Sequence, residues 1–152
     1  MRGFVTTKRS ISTVFLVVLL VVVLLTSVLW KSSEAAAKTA LLQVGNTVQE
    51  RVDFIHRLGY TVSLDVPEKA KQIEIPHIFS DVYQSYQELQ QKAGYDLTAY
   101  TGKVATLYTF KLVDAVRNDV YAHLIVYDGR IIGGDIAALS VSDGYLRPLQ
   151  PL

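Results

Sequence analysis

The sequence has no cysteine among its 152 residues, which excludes a disulfide framework, a thiolate metal site, a cysteine nucleophile and a lipid-modified cysteine anchor. A charge excess is missing too. Fifteen basic against 14 acidic residues leave a formal net charge of +1, far from the basic footprint of a general nucleic-acid binder. The three histidines, His56, His77 and His123, show no HxxxH or HxH spacing that would bring two ring nitrogens to one ion, so no metal site is expected. No G-x-S-x-G turn is present to expose a serine nucleophile, and no triply spaced glycine fingerprint opens a helix for a dinucleotide. The acids are scattered, so their spacing selects no carboxylate pair. Neither a catalytic residue nor a cofactor is expected.

Long apolar sequence is present in one place only. Residues 11–30 run for 20 positions without a charged side chain, and at about 1.5 Å per helical residue such a run spans about 30 Å, the thickness of a bilayer's hydrocarbon core. Ser12, Thr13, Thr26 and Ser27 are its only polar residues, and Trp30 with Lys31 marks an interface. Arg2, Lys8 and Arg9 give the preceding tail a charge of +3 with no acid. The positive-inside bias therefore predicts residues 1–10 in the cytoplasm, a transmembrane signal anchor over 11–30 in contact with the lipid bilayer, and everything after it extracytoplasmic. A cleaved secretory signal has a shorter apolar core and a nearer small-residue site, so an uncleaved anchor is expected, in a single-pass membrane protein.

Residues 31–46 read as an Ala- and Ser-rich stalk, residues 47–139 as one extracytoplasmic domain, and residues 140–152, with Asp143-Gly144 and two prolines, as a C-terminal loop. Thr47 and Glu50 have capping-box spacing, and Val48, Val52 and Ile55 recur on one helical stripe that Gly59 can terminate. Residues 60–66 alternate as a strand that Pro67 ends, 69–71 read as a solvated turn, and 72–75 as a short strand. Phe79, Val82, Tyr83, Tyr86, Leu89 and Ala93 follow helical spacing, with Ser80 and Gly94 as caps. Residues 104–113 are rich in β-branched and aromatic side chains, and residues 120–127 and 130–136 flank Asp128-Gly129, a strong hairpin signal.

Counting outward from that turn pairs Tyr127 with Arg130, Val126 with Ile131, Ile125 with Ile132, Leu124 with Gly133 and His123 with Gly134. Val120, Ala122, Leu124, Val126 and Ile131 then form the core face, and Tyr121, His123, Ile125, Tyr127 and Arg130 the other. The fold class is α+β: the N-terminal transmembrane helix, then two helices packed on one face of a small, mainly antiparallel sheet that ends in the Asp-Gly hairpin.

At Ile75-Pro76, Phe79, Val82-Tyr83, Tyr86, Leu89-Gln90, Gly94-Tyr95-Asp96-Leu97, Tyr100-Thr101-Gly102 and Tyr108-Thr109, then Asp119-Val120-Tyr121-Ala122 and Val126-Tyr127 through Ile132-Gly133-Gly134-Asp135-Ile136, the chain resembles a family of small, mostly Firmicute proteins classed as a domain of unknown function. The resemblance covers residues 49–139. It implies a membrane-anchored bacterial protein and carries over no activity and no site residues.

The candidate binding residues are Tyr121, His123, Tyr127, Gly133, Gly134 and Asp135. Gly133-Gly134-Asp135 reads either as a β-bulge or as a place where a ligand approaches the backbone closely. His123 reads as a half-buried histidine bonded to a tyrosine or as a proton shuttle. Three functions follow: a non-enzymatic module that binds an envelope ligand or envelope protein through the uncovered sheet face, an envelope hydrolase or transferase with a cleft near His123 and Asp135, and a structural accessory subunit of a membrane complex. A deep pocket joining His123 and Asp135 favours the enzyme, and an open tyrosine-bearing surface favours the binder.

Overall fold

A computed structural model describes residues 18–19, 21–22, 43–114 and 116–151. The chain divides into two units, 1–41 and 42–152. In the first, Val18, Leu19, Val21 and Val22 are helical, with about half of each side chain's surface exposed. Among the described residues no helix is long and apolar enough to cross a membrane. The expected span over 11–30 lies, apart from these four residues, outside the described ones.

The second unit is α+β. Helix α1 (Val48–Arg57) starts at the expected capping box, where the Glu50 backbone N–H donates to the Thr47 hydroxyl at 3.2 Å and the Thr47 N–H donates to the Glu50 carboxylate at 2.9 Å. Its inner stripe is rotated from the expected one. Arg51, Phe54 and Ile55 are buried, while Val48 is exposed. Arg51 turns inward because its guanidinium is satisfied there: it donates to Glu68 at 2.7 and 3.1 Å and to the Gly45 carbonyl at 2.7 Å, and it lies 3.7 Å over the Tyr108 ring.

The expected seven-residue strand after α1 is only β1 (Thr61–Val62), and Leu64 is 94% exposed. β1 and β2 (Lys69–Glu74) run in the same direction along one edge of β3 (Val104–Val113), pairing at Val62↔Leu112 and Lys69↔Thr109. Between them residues 63–68 loop out, which delivers Glu68 to Arg51. The expected turn at 69–71 is thus strand, its lysines forming a charged edge of the kind that discourages further pairing.

Helix α2 (Asp81–Lys92) begins where Ser80 accepts from the Tyr83 N–H at 3.4 Å, and a 3-10 turn (Leu97–Tyr100) follows, capped by Asp96. The remaining strands, β4 (Val120–Tyr127), β5 (Arg130–Ala138) and β6 (Tyr145–Pro148), pair antiparallel in the order β3-β4-β5-β6. β6 corrects the reading of 140–152 as loop: Ala138↔Tyr145 through Asp135↔Pro148 form a ladder, and Leu149 is buried beyond it. Pro148 does not break this ladder because β6 is an edge strand, where proline is tolerated. Residues 43–45, expected as stalk, extend the ladder on β5's other half, where the Gly45 N–H donates to Gly129 and the Ile131 N–H to Gln43.

Asp128 (φ +48°) and Gly129 (φ +71°) make the tight turn expected of Asp-Gly. The expected core face is found: Val120, Ala122, Leu124, Val126 and Ile131 join Phe54, Ile55 and Phe110 in one apolar cluster against α1. The opposite face is covered as well, contrary to the expectation of one free face. Ile125, Ile132, Ala105 and Leu97 form a second cluster there with Phe79, Tyr83 and Tyr86 at α2. Each helix therefore takes one side of the sheet, because Ala105, Ile125 and Ile132 give the second face an apolar patch of its own.

Candidate functional site

The β4–β5 register follows the count from the turn for two pairs, Tyr127↔Arg130 and Val126↔Ile131, and then slips by one, so that Ile125 faces Gly133, Leu124 faces Gly134 and His123 faces Asp135. Ile132 is the extra residue of a β-bulge. Gly134 is required by its backbone, and Gly133 is closely packed by side chains. A Cβ on Gly134 (φ +156°) would collide with the His123 carbonyl oxygen and lie 2.9 Å from the Leu149 side chain; one on Gly133 would lie 2.7 Å from Gln90 Oε1 and 3.1 Å from Leu97. The space beside these two glycines is occupied by Gln90, Leu97, Leu149 and the His123 carbonyl.

The slip builds a polar group that the unshifted register lacks. Asp135, 4% exposed, accepts from the Tyr86 hydroxyl at 2.8 Å through Oδ2, and its Oδ1 lies 2.7 Å from His123 Nδ1. Burial, then the Asp135 charge and hydrogen bond, push the Tyr86 hydroxyl far above its usual range, so it remains a proton donor to the carboxylate. Beside it Gln90 is fully buried; its Oε1 accepts from the Gly134 N–H at 2.8 Å. Gln90 Nε2 has no partner at hydrogen-bond geometry among the described residues, although the side chain sits close enough to Tyr86 to oppose the rise slightly. With Nδ1 directed at the carboxylate, the half-buried His123 ring is held in one orientation and its Nε2 is directed away from Asp135. Such an arrangement can brace a helix against a sheet, or orient an imidazole for proton transfer.

The other candidates do not join this group. Tyr121 is half-buried on the same face, one step along β4, between Lys111 and Ala137. Tyr127 packs edge-to-face on Tyr100, with centroids 5.7 Å apart, within the second apolar cluster. No group of three histidine or acidic residues among the described ones is placed to hold a metal ion.

A shallow pocket of about 440 Å3 lies elsewhere, between one flank of α2 and the 3-10 turn, and neither His123 nor Asp135 lines it. Its wall is fixed by Gln87, whose Oε1 accepts from the Leu97 N–H at 2.9 Å and whose Nε2 donates to Asp96 at 2.6 Å. Asp96 in turn accepts from the Thr98 hydroxyl and N–H, bonds that hold its carboxyl below the usual carboxylate range.

Tyr86, Gln87 and Gln90 were not among the candidates from sequence. The signal was present in their spacing: they share the inner face of α2 with Tyr83, whereas Val82, assigned to that stripe, is 82% exposed. Counting only apolar residues hides a helix face that is partly amide.

Comparison with curated proteins and with solved structures finds no match. A family described as a domain of unknown function, DUF4830, matches residues 54–136, more than half of the chain, taking in β4, the bulge and Asp135. The chain belongs to the DUF4830 family of domains of unknown function.

Proposed function

We propose that this protein is a non-enzymatic binding module, tethered to the cell membrane by residues 11–30 with its α+β unit outside, and that its ligand is a component of the envelope. The observation that carries the reading is the use of Asp135. Both of its oxygens are taken by Tyr86 and His123 in a buried seam between α2 and β5, so the carboxylate braces the fold, and it does not line the pocket beside α2. The charge-free run and the +3 tail support the tether.

A second reading rests on the same pair. A carboxylate on Nδ1 is how many acid-base histidines are oriented, and His123 is half-buried, which favours an envelope hydrolase or transferase. One experiment separates them. Full-length protein in detergent is incubated with insoluble cell-wall material, and both co-sedimentation and released soluble fragments are measured, with His123→Ala alongside. The binding module co-sediments equally with or without His123 and releases nothing. Release that His123→Ala abolishes establishes the enzyme, and absence of both co-sedimentation and release rejects the wall-binding reading.

A further inference from the structure

The pocket between α2 and the 3-10 turn is lined mainly by amide and hydroxyl side chains. Gln84, Gln87 and Gln91 recur at helical spacing on α2, and Thr98 and Thr101 face them from the turn. Amides and hydroxyls each donate and accept, the pattern that matches ligand hydroxyl groups, which also do both. Glu88 is the only side chain in the lining that is always charged at neutral pH, and no lysine or arginine lines it, so phosphate and other polyanions find no counter-charge. Phe79 supplies an apolar wall, and it packs 4.6 Å from the Tyr83 ring in a tilted pair that fixes its attitude. A sugar ring presents this same combination, an apolar C–H face bordered by hydroxyls.

The walls are held before any ligand arrives. Gln87 is locked by Asp96 and the Leu97 N–H, Gln84 Nε2 donates to the Phe79 carbonyl at 3.3 Å, and the His77 ring rests against Gly102 so closely that a Cβ there would overlap it. Gly102 also has φ +71°, a conformation that glycine adopts without strain. Side chains fixed in this way lose little freedom on binding, which favours a modest pocket over a loose surface. At about 440 Å3 the volume falls within the range for small-ligand sites.

We infer that this pocket binds an uncharged glycan segment, one sugar ring seated on Phe79 with its hydroxyls bonded to Gln84, Gln91 and Thr98. The inference rests on the envelope-binding reading and names the ligand class for it. Full-length protein in a zwitterionic, sugar-free detergent is titrated with chitotetraose, with maltotetraose and with inorganic phosphate, following side-chain and backbone amide signals by NMR. Either tetrasaccharide should shift the Gln84 and Gln91 side-chain amides and the Thr98 N–H saturably below about 10 mM, while phosphate leaves them in place. Gln91→Ala, an exposed position, should weaken sugar binding about fivefold or more without lowering the melting temperature.

No shift with either sugar, or a saturable shift with phosphate, overturns the glycan assignment. Sugar-induced shifts confined to Tyr121 and His123 overturn this pocket while leaving the binding-module reading standing. Sugar binding at the pocket combined with wall cleavage that His123→Ala abolishes rejects the non-enzymatic reading while keeping the pocket as a subsite.

Discussion

The two faces of the sheet are built on different chemistry. The α1 face is a continuous apolar cluster that includes Phe54, Ile55, Phe110, Leu112, Leu124 and Ile136, and Arg51 is the one buried charged residue of that helix. The α2 face has a smaller apolar cluster and, beside it, a seam of buried polar groups: Gln87, Gln90 and Asp135, with Tyr86 against them. Apolar burial is non-directional, at roughly 25 cal/mol per Å2, and tolerates small displacements. Hydrogen bonds in a dry seam contribute less net stability but fix distance and angle, and leaving one unmade is costly. The α1 face therefore supplies most of the stability, and the α2 face sets where the helix, the bulge and the outer pocket stand relative to one another.

That contrast can be broken at several points. Ile55→Ala, at a fully buried position on the α1 face, is expected to cost about 2 to 5 kcal/mol in a urea melt of residues 42–152, the largest effect of the series. A loss below about 1 kcal/mol would remove the claim that this face dominates. Gly134→Val should cost roughly 1 to 3 kcal/mol, because the side chain meets the His123 carbonyl at a backbone conformation valine avoids. A neutral outcome would show that the bulge has room to relax. Tyr86→Phe removes one charge-assisted hydrogen bond and leaves the packing intact, so about 1 to 2 kcal/mol is expected, with protection of α2 amides from hydrogen exchange falling more than that of α1.

The smallest effect lies outside both faces. Arg117 bridges Asp119 and Asp143, joining the loop before β4 to the loop before β6. Bonds from Ser140 first, then from Arg117, hold the exposed Asp143 carboxyl down at about 2. A depressed folded-state pKa gives stabilisation that is complete above the unfolded value near 4 and is lost as pH falls toward about 2. Asp143→Asn should therefore lower the melting temperature slightly above about pH 4, converge with the parent protein toward pH 2, and so flatten the acid limb between them. An unchanged acid limb would exclude this contact as its source.

How far the sequence foretold these faces depended on the range of the interactions involved. Thr47 with Glu50, Ser80, and Asp128-Gly129 act within four residues of themselves, and each appears where expected. Alternation along β4 located the α1 core face correctly, since every even position from Val120 to Val126 is apolar. The bulge was readable as a glycine pair but not as a register. One inserted residue at Ile132 depends on how closely Leu149 and Gln90 approach the two glycines after it, and these lie far away in sequence. The inward turn of Arg51 and the loop at 63–68 have the same origin, a partner 17 residues distant. The polar seam was hidden for a further reason: Gln87 and Gln90 are ordinary surface residues by type, and only their place on the inner stripe, with a carboxylate and free backbone N–H groups opposite, makes burial affordable.

Asp135 acts as a brace between α2 and the sheet, and the change in unfolding free energy on Asp135→Asn tests this most directly. The substitution keeps the shape and removes the charge that both Tyr86 and His123 address. A bracing carboxylate predicts a loss of about 1 to 2 kcal/mol at neutral pH, the difference between charge-assisted and neutral hydrogen bonds. A clear gain in stability would contradict it, because a buried charge that destabilises its own fold is held for chemistry and not for structure.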